Sequence, residues 1–100
     1  MIARVWRGWT RQEDSDAYVD YLQRTGIRDY RSTPGNEAAY ILRRKLGERT
    51  EFVTLSLWSS REAIRAFAGD DLEQAVFYPE DDDYLVDRES RVTHYEVIGS

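Results

Sequence analysis

The chain has 100 residues, a formal net charge of −5, no cysteine and a single histidine. That length is one domain, 1–100; the missing cysteines exclude disulfides, thiolate metal sites and a cysteine nucleophile. Net negative charge repels phosphate backbones unless a basic patch is segregated, and the sole basic cluster, "RRK" at 43–45, reads as a solvated strand end, so no nucleic-acid partner is expected.

No apolar run approaches the roughly 20 residues of a membrane span. The opening "MIARVWRGWT" lacks the unbroken apolar stretch of a signal peptide. The expectation is a soluble cytoplasmic protein with no membrane partner. A chain of this size buries only roughly 60–65% of its unfolded surface. Three Trp and seven Tyr are therefore expected to line a pocket or an interface.

In chain order, "IARVWRGW" at 2–9 alternates and is rich in β-formers, which predicts a first strand. Ala17, Tyr18, Tyr21, Leu22 and Thr25 recur at helical spacing, and Gly26 stops that helix. "IRDYRSTPGN" reads as a connector with a Pro-Gly-Asn turn. "EAAYILRRKL" and "RTEFVTLSLW" form a hairpin about Gly47-Glu48. Ser59 as N-cap with Glu62 three residues on predicts a capped helix that Gly69 closes. "DDLEQAVFY" predicts one more short helix, "PEDDDYLVDRES" an acidic loop, and "RVTHYEVI" a last strand.

The order β-α-β-β-α-(α)-β is the ferredoxin-like α+β arrangement: one four-stranded antiparallel sheet with helices on one face. The hairpin places Leu42 opposite Val53, Tyr40 opposite Leu55 and Ile41 opposite Thr54. Val53, Leu55 and Leu57 make a hydrocarbon set that is expected to pack on the helices. Phe52, Thr54, Ser56 and Trp58, joined by Arg4, Trp6, His94 and Glu96, make a mixed set on the other face. That second face carries too much apolar surface to stay wet, so a second copy of the sheet is expected to cover it.

Three stretches, "MIARVWRGWT", "EFVTLSLWSSREAIRAFAG" and "VTHYEV", give the chain its family likeness. It resembles the antibiotic biosynthesis monooxygenase domain family of the dimeric α/β-barrel superfamily, over nearly its whole length. The resemblance implies a homodimer with sheets packed face to face and a pocket in each subunit between sheet and helices. It implies O₂ chemistry on phenols or quinols with no metal, flavin or haem in some members, and haem degradation in others. The haem-degrading branch uses an Asn on the first strand, a Trp ending the third, and a His after the second helix. Trp58 fits the tryptophan, but the first strand has no Asn, and "VFYP" stands where the histidine would be.

His94 has two readings: a strand histidine satisfied by a neighbour, or a base that takes a phenolic proton. Arg4 could stabilise an enolate or superoxide-like anion, or pair with acids; the same holds for Arg7. Trp6 and Trp58 are core or packing residues, or flat walls for an aromatic substrate with the indole N–H as donor. Tyr78 and Tyr84 flank the acidic loop and could gate a pocket. Glu37, Glu51, Glu62 and the acids at 80–83 read as solvated rather than as metal ligands. The expected site is thus His94 and Arg4 as catalytic residues and Trp6, Trp58 and Tyr78 against substrate. No cofactor is expected, and a small aromatic molecule and O₂ are the partners. A cyclase or isomerase using the same base, and a non-catalytic binding protein, are the alternatives.

Overall fold

A computed structural model describes residues 1–99. The sheet is built from β1 (Ile2–Arg11), β2 (Asn36–Leu46), β3 (Arg49–Trp58), β4 (Leu85–Arg88) and β5 (Thr93–Glu96). The helices are α1 (Ser15–Arg24), α2 (Gly26–Ser32), α3 (Arg61–Ala68) and the single turn α4 (Asp81–Tyr84). Every pairing between these strands is antiparallel, in the order β2-β3-β1-β4, with β5 also on β1. The fold is α+β and ferredoxin-like, with the fourth strand position divided between β4 and β5. No helix among the described residues is long and apolar enough to cross a membrane.

The hairpin register is the expected one: Tyr40 faces Leu55, Ile41 faces Thr54 and Leu42 faces Val53. Gly47 turns it with φ of 62°. The Pro34-Gly35 turn brings the chain so close to α3 that a Cβ on Gly35 would lie 2.4 Å from the Ala63 Cβ. Gly8 is needed for another close approach, because the Trp6 indole folds back to 2.4 Å from where its Cβ would stand.

Four local expectations are corrected. The connector after Gly26 is a helix, α2, which buries Ile27 and Tyr30. It restarts at a kinked Thr25, whose carbonyl accepts from the Asp29 N–H at 3.0 Å. The N-cap of α3 is Ser60 rather than Ser59, its hydroxyl accepting from the Ala63 N–H at 3.2 Å. "DDLEQAVFY" forms no helix because its backbone bonds elsewhere. Leu72 and Gln74 carbonyls accept from Arg4, Val92 N–H donates to Glu73, and Ala75 N–H donates to Ser90. The acidic loop instead holds α4 and β4.

The two sheet faces are assigned opposite to expectation. The helices cover the mixed face: Phe52, Ser56 and Trp58 are fully buried, and Arg4 is 1% exposed. The hydrocarbon face is open, with Tyr40 51%, Leu42 47% and Tyr95 52% exposed, and Val53, Leu55 and Leu57 half-buried. The reason is area and bonding. Trp6, Phe52 and Trp58 put two indoles and a phenyl ring on that face, and each such ring buries roughly 150–250 Å². Ser56 and Thr50 among them are satisfied: Ser56 Oγ accepts from the Trp58 Nε1–H at 2.9 Å, and Thr50 Oγ1 donates to Gln12 at 3.1 Å. Bonded polar groups can be buried without the usual desolvation penalty.

Candidate functional site

Between the covered sheet face and the helices lies a narrow cavity of about 30 Å³, partly open to solvent. That is far below the roughly 300–1,000 Å³ of small-molecule sites, so a ligand larger than a few atoms must displace part of the wall. Each element contributes to its wall. β1 supplies Trp6 and β3 supplies Thr54; α1 gives Tyr18 and Leu22, α2 Tyr30, and α3 Phe67. The irregular segment after α3 closes it with Ala75, Val76, Phe77 and Tyr78, and Asp81 opens α4 at its rim. Val76 and Phe77 are more than one-third exposed and form the outer lip.

The expected site residues fall into separate places. Trp6 and Tyr78 line the cavity. Trp6 donates its indole N–H to the Glu89 carbonyl at 2.8 Å, so that donor is already used. The Tyr78 hydroxyl donates to Asp29 Oδ2 at 2.5 Å, and burial, followed by that hydrogen bond and the Asp29 charge, pushes its pKa up. Trp58 is outside the lining. It supports the wall from behind, edge-on to Tyr30 at 5.8 Å and 6.2 Å from Phe67. Tyr84 packs in the core against Tyr18 and Tyr21. Arg7 lies half-exposed, with Glu89 at 3.8 Å.

Arg4 and His94 are in contact with each other. Arg4 Nη1 donates to His94 Nε2 at 3.1 Å and to the Leu72 carbonyl at 2.5 Å, while Nη2 donates to the Gln74 carbonyl at 3.1 Å. Because Arg4 can only donate, His94 Nε2 is the acceptor and the ring is neutral, with its proton on Nδ1. Burial, then the Arg4 and Arg61 charges, hold the His94 pKa below the ordinary value. Neither residue lines the cavity; the ring of Phe67, which does, stands 5.7 Å from the guanidinium. His94 Nδ1 and Arg4 Nε are buried with no hydrogen-bond partner among the described residues.

The cavity's carboxylate is one that the sequence reading assigned to a solvated loop. Asp81 is 4% exposed. Its Oδ1 accepts from the Tyr18 hydroxyl at 2.9 Å and its Oδ2 from the Tyr78 N–H at 2.7 Å. Burial raises its pKa, opposed by the hydrogen bonds from Tyr78 and Tyr18 and then by Arg88; burial and the Asp81 charge push Tyr18 up as well. A sequence signal for it exists. Asp81 stands three residues after Tyr78 across a proline turn, the spacing at which a carboxylate reaches back to a backbone N–H.

Among the described residues no group of three or more His, Cys, Asp or Glu could hold a metal ion. Haem would need an axial ligand inside the cavity. Its lining has no histidine, and the Tyr18 and Tyr78 hydroxyls are bound to Asp81 and Asp29. The residues present do not fit haem.

No family model matches the chain, and no curated protein matches its sequence. Solved structures match its fold. A Bacillus cereus protein provisionally assigned as an antibiotic biosynthesis monooxygenase superposes with a TM-score of 0.70 at 17% identity, over 99% of this chain and 94% of that one. A Nitrosomonas europaea protein with the same provisional assignment gives 0.68 at 16%, over 99% and 100%. The haem degrader MhuD of Mycobacterium tuberculosis, solved with two haems in its active site, gives 0.61 at 15%, over 100% and 98%. At these identities the likeness is one of fold: the chain has the antibiotic biosynthesis monooxygenase fold.

Proposed function

We propose that the protein is a small oxygenase whose substrate is an aromatic molecule bearing a phenol or enolisable ketone, acting with O₂ and no cofactor. The observation that supports this most is the cavity: mostly apolar, walled by Trp6, Tyr30, Phe67 and Phe77, with few polar groups. Loss of a proton turns such a substrate into an electron-rich anion that reduces O₂, and a dry aromatic pocket keeps that anion from water. For a ring CH₂ beside an enolisable carbonyl, one oxygen atom becomes the new carbonyl. The second leaves as water with the two ring hydrogens, so no outside reductant is required. Trp6 and Tyr78 serve as substrate walls. Arg4 and His94 act as positioning residues: the guanidinium holds the Leu72 and Gln74 carbonyls, and with them the 75–78 segment over the cavity.

The working unit proposed is a homodimer joined through the open sheet face, where Tyr40, Leu42 and Tyr95 stand exposed beside Val53, Leu55 and Leu57. The enzymatic reading is tested by oxygen uptake with anthrones and hydroquinones, run on metal-free protein. Uptake stoichiometric with product supports it. Substrate loss without oxygen uptake indicates a cyclase or isomerase, and ligand-dependent thermal stabilisation without turnover indicates a binding protein; either result overturns it.

A further inference from the structure

One acidic side chain lines the cavity, and the reading above does not use it. Asp81 has no cation within salt-bridge distance among the described residues. Its neighbours are known on every side. Tyr18 donates to it from α1, and the Tyr78 N–H donates from the preceding turn. The Tyr21 hydroxyl beside it accepts from the Glu80 N–H. Arg88 of β4 pairs with Asp82, not with Asp81, and lies 4.8 Å from the centre of the Phe77 ring. Each carboxylate oxygen has thus accepted one hydrogen bond and retains a second lone pair.

We propose that Asp81 is the group that selects substrate, accepting a hydrogen bond from an aromatic O–H bound in the cavity. This rests on the oxygenase reading for its consequence but not for its geometry. A buried carboxylate with spare lone pairs is costly unless something donates to it. Two kinds of ligand could: a neutral hydroxyl or an ammonium. The surroundings favour the hydroxyl. The cavity is otherwise apolar, which penalises a cation. Arg88 on Phe77 already puts positive charge against the same wall. Tyr18 then competes with the ligand for the carboxylate, its hydroxyl occupying one lone pair of Oδ1.

Anaerobic titration calorimetry with three matched probes tests this: 1-naphthol, 1-methoxynaphthalene and 1-naphthylmethylammonium. The unaltered protein should bind naphthol about tenfold or more tightly than its methyl ether, the worth of one hydrogen bond to a charged acceptor. Asp81→Asn should remove most of that preference by weakening naphthol alone. Tyr18→Phe leaves the carboxylate with one donor fewer, so naphthol preference should be kept or increased. That variant decides the matter if Asp81→Asn does not fold. Equal loss of both neutral probes in Asp81→Asn, tighter binding of the ammonium than of naphthol, or a fall in naphthol preference in Tyr18→Phe would overturn the assignment. Binding without O₂ separates the two readings. A naphthol preference that depends on Asp81, with no oxygen uptake on any substrate, sinks the oxygenase alone. Oxygen uptake with no naphthol preference sinks the Asp81 assignment alone.

Discussion

The two faces of β3 differ by one residue of register and by nearly everything else. One face carries Phe52, Thr54, Ser56 and Trp58 and is covered; the other carries Val53, Leu55 and Leu57 and is half open. Counted by side-chain hydropathy alone, the open face is the more apolar. A face is buried when it offers large rings and internal partners for its polar atoms, not when it offers the cleanest hydrocarbon. The apolar face left over is then free for association, and the bonded one encloses the cavity.

The largest break in this comparison is Trp58→Ala, which should cost about 3–5 kcal/mol. Leu57→Ala, the adjacent residue on the open face, should cost less than half as much in the protomer. Urea unfolding at low protein concentration measures both, and equal losses would erase the difference between the faces. Leu55→Glu puts a charge at the centre of the open face. It should weaken self-association by about 30-fold or more, the roughly 2 kcal/mol of a central interface position, while leaving the far-ultraviolet spectrum unchanged. Sedimentation across a concentration series reads this, and an unaltered protein that stays monomeric throughout would remove the proposed dimer.

The smallest effect sharpens the view of the covered face. The folded-state pKa of His94 is depressed below its ordinary 6.5, first by burial and then by Arg4. The neutral ring's contribution is complete above about pH 6.5 and is lost as pH falls through that value toward the lower folded one. His94→Ala should cost about 1 kcal/mol above pH 6.5, the hydrogen bond to Arg4. It should also flatten the pH dependence of stability below it. An unaltered stability with a changed pH–rate profile for oxygen uptake would instead make His94 a base.

The hairpin register was legible because a two-residue turn at Gly47-Glu48 fixes every pair that follows. So was the grouping of Arg4, Trp6, Thr54 and Trp58 on one face, because alternation leaves two candidate sets on each strand and polarity chooses between them. Which side of the sheet the helices cover was not legible, because it depends on bonds such as Ser56 to Trp58 that have no signature in hydropathy. The helix expected at 70–78 failed for a related reason. Arg4, 68 residues away from Leu72, takes carbonyls that a helix would have used internally. Asp81 was hidden inside a run of acids whose other members are solvated. In "EDDD" only the third dimension separates the buried carboxylate from its neighbours.

The division of the fourth strand position also bears on how copies of the sheet can meet. One border of the sheet is β4 and β5, four residues each, interrupted between Arg88 and Thr93. The other is β2, eleven residues long, but its last third carries Arg43, Arg44 and Lys45 and its start is irregular at Asn36–Ala38. A broken border and a charged, bulged one are both poor templates for the backbone of an incoming strand. Growth of the sheet sideways into an open-ended ribbon is therefore disfavoured at both ends, even though the chain displays a broad apolar face that would otherwise invite it.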